Sequence, residues 1–187
     1  MRYLLTVKAP RRIQNLALVG FMGTGKSSVG RLAAEELGFT FLDTDEAIEA
    51  RTGRRISEIF AQAGEPVFRE LERGLVAELA RQQRTVISTG GGLVVEPANL
   101  ASLKAHALVV CLWASPETIL QRTRHQDHRP LLQEPDPLAK IRQLLGARET
   151  AYRQADVLVS TEARSPREVA QHVLQHFREA RVGALPA

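Results

Sequence analysis

Residues 20 to 27 read G-F-M-G-T-G-K-S, the pattern G-x-x-x-x-G-K-S. Few short stretches restrict a fold so tightly, because this one is useful only between a strand and a helix. It follows the apolar run Leu16-Ala17-Leu18-Val19 and precedes the helix-like stretch Ser28 to Leu37. In that setting a strand ends, a glycine-rich turn wraps an anion, and the helix start aims its unbonded N–H groups at it. Gly20, Gly23 and Gly25 let backbone amides approach phosphate oxygens with no Cβ in the way. Lys26 supplies a fixed positive charge for the outer phosphates, and Ser27 a hydroxyl for Mg²⁺. The loop points to a nucleoside triphosphate, ATP or GTP.

Beyond the loop, strand-like and helix-like segments alternate. Short apolar runs without period-two alternation, the mark of parallel strands covered on both faces, occur at Leu16–Val19, Thr40–Leu42, Thr85–Ser88, Ala107–Leu112 and Val157–Val159. Between them, Val67, Leu71, Leu75 and Leu79 recur every four residues in Pro66–Arg81, which predicts an amphipathic helix with Pro66 in its first turn. Ser115-Pro116-Glu117 reads as a cap and start of another helix. Ser165-Pro166-Arg167-Glu168 has the spacing of a capping box. The alternation predicts a three-layer α/β/α fold around a parallel sheet, in one domain. Residues 124 to 137 break the pattern; polar and rich in proline, they predict a lid over the nucleotide.

Composition narrows the partners. Net charge is only +4 and aromatics are 5%, with no basic stripe of the kind that grips nucleic acid. No apolar run approaches a membrane span, and the N-terminal residues lack the apolar core of a secretory signal. With a single cysteine, Cys111, set in an apolar run, no internal disulfide is possible, which fits a reducing compartment. The expectation is a cytoplasmic protein acting on small molecules as a monomer.

Three further constellations carry chemistry. The second strand ends Leu42-Asp43-Thr44-Asp45. Ligands bind at the carboxyl ends of parallel strands, so Asp43 is available to Mg²⁺ and Asp45 to a substrate hydroxyl, where it can orient the alcohol and take its proton. Asp45 is also expected to cap a helix over Glu46–Arg51. The third strand ends Ser88-Thr89-Gly90-Gly91-Gly92, which bares backbone N–H groups. It carries no closing Asp, and the chain has no Asn-Lys-x-Asp motif, both of which argue against a GTPase. Arg69, Arg129 and Arg148 have the fork geometry for carboxylate or phosphate, and Glu72 stands one helical turn past Arg69.

Together these segments resemble the shikimate kinase family. The resemblance rests on L-V-G-F-M-G-T-G-K-S-S-V-G-R, F-L-D-T-D-E-A-I-E-A-R-T-G, I-S-E-I-F-A-Q-A-G-E-P-V-F-R-E-L-E, S-T-G-G-G, R-P-L-L and R-E-T-A-Y-R, in family order, across about residues 14 to 178. Residues 1–13 and 179–187 would then be extensions. The resemblance implies a P-loop NTPase fold like that of nucleoside monophosphate kinases, with five parallel strands. It implies ATP-dependent, Mg²⁺-dependent phosphorylation of the 3-hydroxyl of shikimate, on the route to chorismate and the aromatic amino acids. Residue by residue, it gives Asp45 to the shikimate hydroxyls as base, Arg69 and Arg148 to the shikimate carboxylate, and Gly91 to the ring. It gives Gly23, Thr24, Gly25, Lys26, Ser27 and Ser28 to the phosphates, Arg129 to the phosphates from the lid, and Arg122 and Pro166 to the adenine, with Arg164 nearby. Two other readings share the phosphate loop: another small-molecule kinase, for gluconate or a nucleoside monophosphate, and a silent nucleotide-binding protein. The F-R and triple-Gly segments disfavour the first, and the full set of charged residues the second.

Overall fold

The computed structural model describes residues 11–124 and 135–182. Five strands form one sheet: β1 (Asn15–Val19), β2 (Thr40–Asp43), β3 (Thr85–Ser88), β4 (Ala107–Trp113) and β5 (Val157–Ser160). All pairings are parallel, in the order β2-β3-β1-β4-β5. Each strand is the one expected from the apolar runs, within a residue at either end. Seven helices accompany them among the described residues: α1 (Lys26–Leu37), α2 (Thr44–Thr52), α3 (Ile56–Leu79), α4 (Pro97–His106), α5 (Pro116–Thr123), α6 (Pro137–Tyr152) and α7 (Pro166–Val182).

Alternate side chains of a strand point to opposite faces, and β1 shows what that builds. Leu16 and Leu18 enter a core with Val29 and Ala33 of α1 and Val173 and Phe177 of α7. Ala17 and Val19 enter a second core with Leu75 and Leu79 of α3 and Leu100 and Leu103 of α4. Both faces of the sheet are covered, which is why the strands read as unbroken apolar runs. Truncating a buried aromatic such as Phe177 to Ala would cost about 3–5 kcal/mol.

Two local expectations need correction. The helix after β2 begins at Thr44, not Glu46, and its cap is Asp43, whose Oδ1 accepts the Asp45 N–H at 3.1 Å. Asp45 is therefore inside the helix, which releases its side chain from capping. The helix containing Pro66 starts earlier, at Ile56, and breaks at Gly64 (φ 79°, ψ 171°). Pro66 does sit in a first turn, that of the segment beyond the break.

The β1 crossover leads through α1 to β2 on one side, and the β3 crossover leads through α4 to β4 on the other. Adjacent strands whose connections part in this way open a crevice at their carboxyl ends. Residues 20–25 and the Gly90–Gly92 run lie there.

Candidate active site

The phosphate loop is built by sterics. Gly20 has φ 130°, and a Cβ there would lie 2.3 Å from the Leu112 carbonyl oxygen, so no other residue fits. Gly23 has φ 75°, and its Cβ would strike Thr123 Cγ2 at 2.7 Å. Thr24 Oγ1 and Lys26 Nζ both donate to the Phe21 carbonyl, at 2.8 and 2.9 Å, closing the turn. Helix α1 then starts with Gly25 as its cap, with no side-chain cap bond and no acidic residue in its first turn. Its N–H groups and the positive end of its dipole are left for an external anion.

The loop opens onto a cavity of about 510 Å³. Gly23, Thr24, Gly25, Lys26, Ser27 and Ser28 line it, joined by Asp43, Asp45 and Gly91 and by Arg122, Arg164 and Pro166. These positions come from the loops that follow β1 and β3, the end of β2, the first turns of α1, α2 and α7, α5 and the β5–α7 connection, so the topology has gathered residues far apart in the chain. Arg129 and most of the expected lid, with Leu131 and Leu132, lie outside the described residues.

Ser27 Oγ donates to Asp43 Oδ2 at 2.8 Å and lies 3.3 Å from Ser88 Oγ. A hydroxyl and a carboxylate beside a phosphate cradle are the hard oxygen donors that suit Mg²⁺. Among the described residues no group of three His, Cys, Asp or Glu could hold a metal, so a cation at Ser27 and Asp43 would share its shell with phosphate and water.

The three glycines after β3 organise the rest. A Cβ on Gly90 would lie 2.5 Å from Asp45 Oδ1 and 3.3 Å from Glu72 Oε1. On Gly91 it would lie 3.5 Å from Arg148 Nη1, and on Gly92 2.8 Å from Arg69 Nη1. One backbone run thus faces both carboxylates and both guanidinium groups, each through the space of a missing methyl. The Gly90 N–H is fixed by Thr44 Oγ1 at 2.8 Å, and the Gly91 carbonyl accepts Tyr152 Oη–H at 2.6 Å. Tyr152 lies one turn beyond Arg148 on α6, so it ties that helix to the glycine run.

Arg69 is held as a fork. Nη1 donates to Glu72 Oε2 at 2.7 Å, and Nη2 and Nε donate to Glu65 Oε1 at 2.6 and 3.1 Å. Glu72 is fully buried, and burial pushes its carboxyl up against the pull of Arg69. Burial likewise raises Asp45 to about 6, aided by Asp43 and opposed by Lys26. Asp45 Oδ1 and Glu72 Oε1 are buried with no hydrogen-bond partner among the described residues. Each such orphan costs about 1–3 kcal/mol, and two facing one glycine mark a place where a ligand's hydroxyls would be satisfied.

At the α5 end of the cavity Arg122 donates to Thr161 Oγ1 at 2.9 Å, to the Thr161 carbonyl at 2.8 Å and to the Gly23 carbonyl at 3.4 Å. Sequence reasoning placed Arg122 and Pro166 but not these partners. It passed over Tyr152, and of the glycine run that it singled out it gave a separate role to Gly91 alone, since consecutive glycines look alike until each has a neighbour. Among the described residues no helix is long and apolar enough to cross a membrane.

Comparison with known proteins gives this geometry a context. The family model described as shikimate kinase matches residues 22–178. A shikimate kinase from Thermodesulfovibrio yellowstonii is 43% identical over 165 residues, covering 88% of this chain and 95% of that protein. One from Thiobacillus denitrificans is 49% identical over 152 residues, covering 81% and 83%. Among solved structures, a shikimate kinase from Acinetobacter baumannii in complex with shikimate aligns with a TM-score of 0.86 at 40% identity, covering 91% and 96%.

Proposed function

The chain belongs to the shikimate kinase family, and we propose that residues gathered around the carboxyl ends of β1, β2 and β3 divide the work of its reaction. That reaction is ATP-dependent phosphorylation of shikimate at the 3-hydroxyl, giving shikimate 3-phosphate and ADP in aromatic amino-acid biosynthesis. The observation that supports the division is the Gly90–Gly92 run, which holds Asp45, Arg69 and Arg148 around one spot beside the phosphate cradle.

On this reading the amides of residues 23–28 and Lys26 bind the ATP phosphates, where little covalent chemistry is left to the protein beyond positioning and charge. Ser27 and Asp43 would hold Mg²⁺, which when bound neutralises phosphate charge. Arg69 and Arg148 clamp the shikimate carboxylate, the former locked in rotamer by Glu65 and Glu72. Asp45 Oδ1, buried and otherwise unpartnered, accepts the 3-hydroxyl. As the oxygen–phosphorus bond forms in line with the bond to ADP breaking, the hydroxyl proton passes to that carboxylate. Gly91 presents backbone to the ring where a side chain would intrude. Arg122 and Pro166 flank the adenine, with Arg164 beside them. Arg129 is given to the phosphates on the resemblance of R-P-L-L alone. The single buried cysteine suits work in the cytoplasm.

The test is ADP formation by purified protein with Mg²⁺-ATP and shikimate, with quinate and gluconate as comparison acceptors. Turnover that requires shikimate is the expected result. Turnover equal with gluconate, or independent of any acceptor, would overturn the reading.

A further inference from the structure

Nothing in the division of labour above uses Glu162, yet its carboxylate is committed on both oxygens. Oε1 accepts the Ser115 N–H at 2.5 Å, and Oε2 accepts Thr118 Oγ1–H at 2.8 Å. Both donors stand at the start of α5, where a negative charge is favoured by the helix dipole. These bonds hold the carboxyl below its usual range.

The far end of α5 is attached to the neighbouring residue. Arg122, in the last turn, donates to the side chain and carbonyl of Thr161. Residues 161 and 162 thus fasten the β5–α7 connection to both ends of one helix. Beyond them Ala163 takes the left-handed conformation at φ 50°, which turns the chain. Arg164 then bonds back to the Ser160 carbonyl at 3.1 Å. Ser165 and Glu168 form the capping box that starts α7, with Pro166 as its first residue. The two sides of the proposed adenine slot, Arg122 on α5 and Pro166 on α7, therefore meet through a short connection that Glu162 secures. The end of β4 is also bonded to Thr161, whose N–H donates to the Trp113 carbonyl at 2.8 Å, but among the described residues Glu162 supplies the connection's side-chain bonds to the first turn of α5 itself.

We propose that Glu162 is a positioning residue for nucleotide-base binding, holding α5 against residues 160–165 so that Arg122 and Pro166 keep their spacing. It rests on the placement of adenine between those two residues. It acts on the base more than on the phosphates, because the phosphate loop touches α5 through a long 3.4 Å bond from Arg122 to the Gly23 carbonyl but closes on itself through the shorter bonds of Thr24 and Lys26.

The experiment compares ATP with a base-free probe. In Glu162→Ala, KM for ATP should rise roughly tenfold, the scale of one lost charge-assisted hydrogen bond. The change appears in KM and not in kcat. KM for shikimate, and the affinity for inorganic tripolyphosphate by calorimetry, should stay within about twofold, since neither contacts the connection. Glu162→Gln keeps an acceptor for the Ser115 N–H and should recover most of the loss. Thr118→Val removes one donor without changing shape, and should shift KM for ATP in the same direction by a smaller factor. It carries the test if Glu162→Ala does not fold. An unchanged KM for ATP in these variants overturns the proposal, as does a fall in tripolyphosphate affinity that keeps step with ATP. An Arg122→Ala arm separates the layers. If it raises KM for ATP while Glu162→Ala does not, only the role of Glu162 fails. If it too has no effect, the adenine placement fails with it.

Discussion

Adding one methyl group at each of three consecutive positions should produce three different defects. Gly90, Gly91 and Gly92 all lack positive φ, so alanine is conformationally acceptable and the effects are steric. At Gly90 the new Cβ would sit 2.5 Å from Asp45 Oδ1, where ordinary contact begins near 3.4 Å. Asp45 must retreat by about 0.9 Å, and a misplacement of that size at a reacting group costs about 10²-fold in rate. That is about 2.7 kcal/mol of transition-state stabilisation, and it should appear in kcat. At Gly92 the clash is with the Arg69 guanidinium at 2.8 Å, which is pinned by Glu65 and Glu72 and cannot swing clear. The loss there should fall on KM for shikimate, by about 5–20-fold. At Gly91 the nearest protein atoms are 3.5 Å away, so the folded protein accepts the methyl and any defect reports the acceptor itself. The assay is coupled ADP formation with each substrate varied in turn. Overpacking costs about 1–3 kcal/mol, and each kcal/mol lowers Tm by about 2–4 °C for a chain of this size, so a melting curve must accompany each variant. A Gly90→Ala enzyme with kcat within twofold of the parent would show that turnover does not depend on the position of Asp45.

Two other outcomes are expected. Arg148→Ala should raise KM for shikimate by roughly ten- to a hundredfold while KM for ATP stays near its parent value, because its guanidinium stands beside Gly91 and over the Phe21 ring and does not line the cavity onto which the phosphate loop opens; the reverse split would remove it from the acceptor site. Stability should also respond to His106, whose buried ring titrates below its ordinary value. Asn15 Oδ1 accepts the Thr85 N–H, so its Nδ2 is the donor to His106 Nδ1 at 2.8 Å, a bond that ring protonation would break. A depressed histidine favours the fold above its unfolded pKa of about 6.5 and loses that contribution as pH falls through the folded value. The raised Asp45 works in the opposite sense. The readout is therefore the difference between parent and His106→Gln in urea midpoint from about pH 7.5 to 5, with the parent losing more. Equal losses would show that the ring is not responsible.

The sheet was legible because parallel strands buried on both faces leave unmistakable apolar runs, and Ser115 and Ser165 announced their helices by caps that the structure retains. The cap of α2 was misread because Asp43 and Asp45 both suit capping, and only the end of β2 decides between them. Ile56, Ile59, Phe60 and Ala63 do fall at helical spacing, but the stretch ends at Gly64 after two turns, too short a window for periodicity alone to declare a helix. The site was legible as a set of residue types and not as an arrangement. Asp45, Arg69 and Arg148 could be nominated, but their meeting at three glycines depends on β2, α3 and α6 converging on the end of β3. Glu162 looked like any loop acid until the start of α5 was placed beside it.

In the proposed reaction Asp45 takes the proton of the alcohol it holds. Asp45→Asn keeps the shape and an accepting oxygen and removes the basicity. The measurement is kcat with saturating Mg²⁺-ATP and shikimate, alongside calorimetric affinities for both. A fall of about 10²–10⁴-fold in kcat is expected, with both affinities within a few fold of the parent. Turnover close to that of the parent would contradict it.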